Sequence, residues 1–515
     1  MIRSLRNLFR LLAIIRTLAR HDALFLRELR DALPGLALIG RLLSRRGVVG
    51  RPGQRLAAAM TELGPTFIKL GQALSTRSDL VGERVAIDLA QLQDRLPPFP
   101  GDKAVAIIEE QLGKPLDQLF TSFDRKAIAA ASIAQVHFAV TTEGEEVAVK
   151  VLRPGIERAF RRDIDLLYWL TEMALRAQPQ LIRLRPAEVV QIFERTCSIE
   201  MDLRMEASAA SELAGNFRDD PWFRVPKVNW DRTAQRVLTL ERIHGIKVDE
   251  TEKLIQAGHD LNHLTAIASA SFFNQVFRDG YFHADLHPGN LFVNASGGVT
   301  VVDFGIMGRL DRATRYYLAD MLLGFLTGDY RRVAMVHFQA GYVSAHQSIE
   351  VFTQACRAIG EPLHNKPLNE ISVGRLLAQL FAVTEQFEME TQPQLLLLQK
   401  SMLTAEGVGR TLNPEINMWE LARPLIEDWM REHRGPEAQV LDEVEGAIKA
   451  LRQLPEALRS AQRTVDLLEK GLRIHPDSMA TLARHQDHRR RTELWPLWAA
   501  IFALGGLVAW LLIMR

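Results

Sequence analysis

Cysteine is close to absent from this chain of 515 residues: Cys197 and Cys356 stand alone. Two thiols so far apart exclude a disulfide scaffold and any Cys-x-x-Cys metal ribbon, and they suit a reducing compartment. Net charge is lacking too. The 63 Lys+Arg against 62 Asp+Glu leave a formal +1, which argues against a strongly basic nucleic-acid binder, so no nucleic-acid partner is expected. With 47% hydrophobic and 24% charged residues, neither a disordered chain nor a multi-span transporter fits. Internal repeats at solenoid periods and long low-complexity segments are also missing.

The near-neutral average conceals segregation. Residues 1–21 hold Arg3, Arg6, Arg10, Arg16 and Arg20 and no acid. Leu5, Leu8, Phe9, Leu12, Ile15 and Ala19 recur there at helical spacing, with the arginines mostly on another face. That pattern predicts an amphipathic helix over 1–25 lying on an anionic membrane surface; a transit peptide and a helix packed on the protein body are the competing readings. At the other end, Trp495 to Met514 carries no charge. Twenty helical residues span roughly 30 Å, so 495–514 is expected to cross a bilayer once. Arg484, Arg489, Arg490 and Arg491 precede the run and only Arg515 follows it. The positive-inside rule then places the body in the cytoplasm, at a bacterial inner membrane, with the mitochondrial inner membrane as the alternative. Subtracting the nine net positive charges of these segments from +1 leaves −8 for the rest.

Between the ends, Gly and Pro break residues 26–118 into helices. Short β-type runs follow: KAIAAAS, AQVHFAV and EVAVKVL, with a turn at Glu143-Gly144 between the last two. Helical periodicity returns over Ile156–Phe217. A strand at Arg236–Leu240 leads into a mostly helical remainder, interrupted by β runs at Leu291–Asn294 and Val299–Val302.

The chemistry is concentrated in FHADLHPGNLFVNASGGVTVVDFG, Phe282 to Gly305. Asp285 and Asp303 flank a short hairpin, and Asn290 follows Asp285 by five positions. Phosphoryl transfer needs one carboxylate to orient or deprotonate the attacking group, and a carboxylate with a carboxamide to hold Mg²⁺. Asp-x4-Asn, hairpin and Asp-Phe-Gly reproduce the layout of a protein-kinase catalytic loop and magnesium loop. Upstream, Val147-Ala-Val-Lys150 ends a strand, where a lysine would hold the α- and β-phosphates.

Two departures stand out. Where a Gly-rich loop should precede that strand, the chain has Ala129-Ala-Ala-Ser-Ile-Ala-Gln-Val136, which predicts a stiffer loop that approaches the nucleotide less closely. No Ala-Pro-Glu follows Asp-Phe-Gly, so the usual peptide-docking segment is missing. For the acidic partner of Lys150 the candidates are Glu200, Asp202 and Glu206. On a continuous helix about 600° separate Glu200 from Glu206, so they face different ways, while Asp202 and Glu206 share a face. A further cluster, LGPTFIKLGQALSTRSD, predicts a helix begun at Pro65 with a buried Lys69; by default that lysine reads as packing. Gly71 within it costs about 1 kcal/mol against Ala, which implies close packing there.

In this order KLGQALSTRSDL, AAASIAQVH, VAVK, Glu200-x-Asp202…Glu206-Ala, HADLHPGN and DFG resemble the UbiB family of atypical kinases, over roughly residues 55–425. The resemblance implies an α+β, two-lobed protein-kinase-like fold. Its parts would be a helical extension at 26–118 carrying the K-x-G-Q element, an N-lobe at 119–243, a C-lobe at 244–425, a helical tail at 426–494 and the span at 495–514. It implies ATP and Mg²⁺ as cofactors and support of ubiquinone synthesis. The implied partners are membrane lipid, polyprenylated quinone precursors and other ubiquinone-biosynthesis proteins. Lys69, Gly71 and Gln72 would fold over the active site with Glu200 and Asp202 near them, making Lys69 and Gln72 catalytic candidates beside Asp285. Ile128, Ala129, Ala130, Ala131, Ser132, Ile133, Ala134, Gln135, Val136 and Lys150 would form the nucleotide site, with Glu206 as the lysine's partner. Asp285 would accept the proton, and Asn290 and Asp303 would bind the metal. Two other functions compete: a pseudokinase scaffold, and a metal-dependent phosphohydrolase using His283, Asp285 and His287.

Overall fold

The computed structural model describes residues 2–23, 50–75, 81–90, 96–177, 186–364, 392–415 and 418–434, with single positions at 92, 383, 387 and 389. The expected span at 495–514 and nearly all of the tail at 426–494 lie outside the described residues. No helix among the described residues is long and apolar enough to cross a membrane. Residues up to Glu432 form one compact unit.

Among the described residues four helices come first: α1 (Ile2–Arg20), α2 (Pro52–Leu63), α3 (Pro65–Ser75) and α4 (Glu83–Ala90). Gly64, at φ +104°, ends α2, and Pro65 starts α3 in the next position. Glycine reaches that backbone region without a Cβ penalty, and proline suits a first helical turn. Ile14, Leu56, Phe67, Ile68 and Leu89 make a small core with Leu166. Gly71 lies in it, and a Cβ there would run into the side chains of Leu92 and Met60. This is the close packing the sequence implied.

Helix α5 (Gly101–Leu112) leads to a five-stranded antiparallel sheet of β1 (Phe120–Phe123), β2 (Ala129–Ala130), β3 (Ala134–Thr141), β4 (Glu146–Leu152) and β6 (Val237–Glu241). Its order is β1-β3-β4-β6, and β2 pairs with β3. Period-two alternation sets its faces. Val147, Val149 and Val151 pack under Ala104, Ile107 and Ile108 of α5. Lys150 must therefore point to the opposite face, where Leu152 joins the main core. Between β4 and β6 run α6 (Ile156–Ala177), α7 (Pro186–Glu200), α8 (Leu203–Asn216) and the two-residue β5 (Phe223–Arg224).

Beyond β6, β7 (Ile246–Lys247), β9 (Leu291–Val293) and β10 (Val299–Val301) form a second sheet in the order β5-β10-β9-β7. β5 thus joins the later hairpin, pairing in parallel with β10. β8 (Tyr281–His283) pairs with β11 (Met307–Arg309). Around them lie α9 (Leu261–Phe273), α10 (Arg312–Thr327), α11 (Tyr330–Gln339), α12 (Ile349–His364), α13 (Pro393–Leu412) and α14 (Met418–Arg434). Phe272, Phe282, Val301, Leu398, Met402 and Ile426 share one core that also takes in Leu152 and Leu203.

The N-terminal arginines do not stand free. Arg3 pairs with Asp165 and Glu172, Arg6 with Asp165, Arg10 with Asp163, and Arg20 with Glu62. The face left to solvent is apolar: Leu5, Leu8, Phe9 and Leu12 are exposed, Phe9 by 65%. The helix is amphipathic as expected, but these four arginines pack it on the body.

Candidate functional site

Lys150 Nζ lies 2.7 Å from Glu206 Oε1 and 2.8 Å from Asp303 Oδ1. Burial works against its charge, yet the two carboxylates outweigh that and hold its pKa above the ordinary lysine value. The nearby ammonium holds the Asp303 carboxyl well below the usual range, against the effect of burial. For Glu206 burial dominates, with Asp303 adding to it, and its pKa is raised in spite of Lys150.

Glu206 reaches this position because the chain breaks before it. The 600° estimate assumed one continuous helix, but α7 ends at Glu200, and Asp202 caps α8 by accepting from the Arg204 N–H at 3.1 Å. Asp202 also pairs with the Arg204 guanidinium. As the cap, Asp202 turns its carboxylate onto the start of α8 and Arg204, while Glu206 faces Lys150. The two glutamates do face different ways, but because of this break: Glu206 meets Lys150, and Glu200 meets Lys69 at 2.8 Å. Lys69 and Glu200 are 11% and 14% exposed. Lys69 also helps lower the pKa of Asp303, so its charge acts at the same cluster of acids as well as on Glu200. Gln72, three residues further on, is half-buried.

The Asp285 loop is tied to the Asp303 loop by His283. A π-helical turn, Asn274–Asp279, precedes β8 and turns Gln275 inward, where its Oε1 accepts from the His283 N–H at 2.9 Å. His283 Nδ1 accepts from the Asp285 N–H at 3.1 Å, and Nε2 donates to the Asp303 carbonyl at 2.7 Å. Nδ1 can accept only on a neutral ring, and burial pushes its pKa down although Asp303 and Asp285 oppose that. Asn290 Nδ2 donates to the Asp285 carbonyl at 3.1 Å, and the Val302 N–H donates to the Asn290 carbonyl at 3.0 Å. Asp303 itself sits at φ +67°, a costly conformation for a residue with a Cβ, which these bonds maintain.

This geometry removes the phosphohydrolase reading, because both ring nitrogens of His283 are committed to backbone groups. His287 Nδ1 accepts from the Gly289 N–H, capping the turn Pro288–Asn290. Among the described residues no cluster of three or more His, Cys, Asp or Glu could hold a metal ion. Asn290 and Asp303 do suit Mg²⁺. Bonding through Nδ2 leaves the amide oxygen of Asn290 as the potential ligand, and Asp303 is kept ionised, which gives the hard oxygen donors that ion takes.

The alanine loop is pinned from outside. The Ala131 N–H donates to the Ala134 carbonyl at 2.8 Å, and Arg153 donates twice to the Ala131 carbonyl while reaching Pro97. Two expected nucleotide residues face the interior instead. Ser132 is fully buried, and Gln135 bonds both the N–H and the carbonyl of Phe99. Alternation along a strand gives an outward and an inward set, so not every residue of 128–136 can line a ligand.

Two residues escaped sequence reasoning. One is Arg153, which lies just past the strand and outside the motif. The other is Lys400 of α13, whose Nζ lies 3.0 Å from Asp285 Oδ1. Its only signal is a single charge in the apolar stretch QLLLLQKSM, at a sequence separation of 115 from Asp285.

Comparison with known proteins shows the family. Residues 91–337 match the ABC1 atypical kinase-like domain, and residues 356–417 match the UbiB helical domain. The probable protein kinase UbiB of Marinobacter nauticus is 42% identical over 453 residues, 86% of this chain and 81% of that protein. The probable protein kinase UbiB of Azotobacter vinelandii is 41% identical over 516 residues, 98% of this chain and 93% of its own. A solved complex of Rv3197 with erythromycin from Mycobacterium tuberculosis is 25% identical, with a TM-score of 0.46 over 68% of this chain and 90% of that one. The chain belongs to the UbiB family of ABC1-type atypical kinases.

Proposed function

We propose that this protein is a membrane-anchored ATP-using enzyme, an ATPase or small-molecule kinase that supports ubiquinone synthesis. The observation that carries the reading is the meeting of Lys150, Glu206 and Asp303 at hydrogen-bond distance, with Asp285 tied to Asp303 through His283. Lys150 binds the α- and β-phosphates, and Glu206 fixes its ammonium. Asp285 receives the proton of the attacking hydroxyl. Asn290 and Asp303 hold Mg²⁺, which supplies charge neutralisation on the phosphates. Lys69 and Gln72 close the site from the extension. ATP turnover makes polyprenylated intermediates accessible to other enzymes of the same synthesis, or regulates those enzymes. The anchor is the uncharged run 495–514, and the exposed apolar face of α1 adds to it. A bacterial inner membrane with the body on its cytoplasmic side follows from the arginines at 484–491.

The test is ATP turnover by wild type and Asp285→Asn in liposomes with a quinone precursor, together with lipid extraction from cells carrying each. Loss of turnover and accumulation of an early polyprenylated intermediate in Asp285→Asn are expected. Equal turnover and equal quinone content would sink the enzymatic reading and leave a pseudokinase scaffold.

A further inference from the structure

Phosphoryl transfer spreads negative charge over three equatorial oxygens, so a cation beside the attacked phosphorus lowers the barrier. The chain offers few candidates. Lys150 is held between Glu206 and Asp303, and Lys69 is paired with Glu200. Neither the loop 128–136 nor the stretch from Asp285 to Asn290 contains a lysine or arginine. The ammonium that does stand against Asp285, at 3.0 Å, belongs to Lys400.

Its mounting suits a functional group. On α13 the neighbours Leu398 and Met402 are buried in the main core, and Ser401 is fully buried with its hydroxyl donating to the Leu397 carbonyl. The Lys400 side chain is still 39% exposed. A fixed backbone thus carries a mobile four-carbon stem. An exposed ion pair of this kind contributes almost nothing to folding, so stability does not explain it.

We propose that Lys400 is a second phosphate-facing lysine of this site, leaving Asp285 to bind the terminal phosphoryl group of a nucleoside triphosphate while Lys150 holds the α- and β-phosphates. The proposal rests on the ATP-using reading above. In the step, the attacking hydroxyl oxygen forms a bond to the terminal phosphorus. The bond from that phosphorus to the bridging oxygen breaks, and its electron pair leaves with the diphosphate. The hydroxyl proton passes to Asp285. Lys400 stays an ammonium throughout and exchanges one anionic partner for another. Without a triphosphate it covers Asp285; with one it frees that carboxylate to act as base. The UbiB helical domain would then supply part of the phosphoryl-transfer chemistry, and the site would distinguish triphosphate from diphosphate.

The experiment uses the full chain in vesicles of phosphatidylethanolamine and anionic phospholipid, comparing wild type, Lys400→Met and Lys400→Arg. Steady-state ATP turnover, binding of ATP and ADP, and the thermal midpoint are measured for each. Lys400→Met should lower kcat about 10²–10³-fold and weaken ATP about tenfold, with ADP affinity and the midpoint unchanged. Lys400→Arg should recover part of the turnover, since the charge is kept. Turnover within about twofold of wild type, or equal loss of ATP and ADP affinity, overturns the proposal. So does higher turnover in Lys400→Met, which would make the contact inhibitory. A wild type that binds neither nucleotide removes the ATP-using reading and this proposal together, whereas a nucleotide-binding wild type with an indifferent Lys400 removes this proposal alone.

Discussion

Replacing Lys150 by Met tests the central ion pair more sharply than loss of activity can, because its effect on folding has a definite size and pH dependence. The side chain of Glu206 is only 8% exposed and bonds Lys150 at 2.7 Å. Without the ammonium, a buried carboxylate has no counter-ion, which in comparable sites costs about 3–5 kcal/mol. Protonation sets a ceiling: at pH 7, protonating a carboxyl of ordinary pKa costs about 4 kcal/mol, and the variant cannot lose more than that at this group. About 3 kcal/mol at pH 7.5 is therefore expected. Burial already raises the Glu206 pKa against the pull of Lys150, and removing Lys150 raises it further. A folded-state pKa above the unfolded value gives stability that is present below the unfolded pKa and lost as pH rises through the folded one. Lys150→Met should thus approach wild type as the pH falls toward 5, and Lys150→Met/Glu206→Gln should recover about 2 kcal/mol at pH 7.5. Urea denaturation at four pH values between 5 and 8 reads all three quantities. A single variant as stable as wild type at pH 7.5, or a double variant no better than the single one, would refute the argument.

Three further outcomes are expected. Burial pushes the pKa of His337 down to about 4, and its Nδ1 faces the Val333 carbonyl. A base depressed on folding contributes stability that is present above its unfolded pKa and lost as pH falls, so wild type should lose about 2 kcal/mol here between pH 7 and pH 5; a denaturation series in which His337→Phe loses as much would contradict this. Gly308→Ala would drive a Cβ into the ring of Phe282, on the strand that delivers the Asp285 loop. It should cost about 2–3 kcal/mol by urea denaturation, and a variant with the wild-type midpoint would show that β8 and β11 can move apart. Asp163 is nearly buried and pairs with Arg10 and Arg162. Asp163→Asn should weaken the docking of α1 by about 1–3 kcal/mol, read as faster tryptic cleavage within residues 2–20, and an unchanged cleavage rate would show that apolar contacts alone hold the helix.

The parts legible in the sequence were those whose signal is local. The period of EVAVKVL places Val147, Val149 and Val151 on one face and Lys150 on the other, and the structure has them so. Asp-x4-Asn, the hairpin at 291–301 and Asp303 occupy adjacent turns of chain, and they come together as their spacing suggests. What the sequence hid depended on chain breaks and distance. A helix end at Glu200 is invisible to a count of degrees per residue, although Asp202 is a good capping residue and could have signalled it. Arginines on a basic amphipathic helix have the same pattern whether they meet lipid or carboxylates, and the carboxylates lie more than 150 residues away for Arg3, Arg6 and Arg10. That the side chains of Ser132 and Gln135 turn inward was hidden as well, because a motif names positions without saying which way each side chain turns.

The three lysines of the site show where its working unit ends. Lys150 belongs to the kinase-like sheet, Lys69 to a helix before it and Lys400 to a helix well after it, and each is paired with a carboxylate of the expected set. The ABC1 kinase-like domain at 91–337 contains only the first. A chain cut to that domain would keep Asp285, Asn290 and Asp303 but lose the cations facing Glu200 and Asp285. Each of those acids would then have to be solvated or protonated instead. Lys69 is a compact point charge fixed by a mostly buried glutamate, and burial on that scale takes a docked helix, not a flexible arm. The Lys69 ammonium also helps lower the pKa of Asp303, so a helix that precedes the kinase-like domain adds to the charge at that carboxylate.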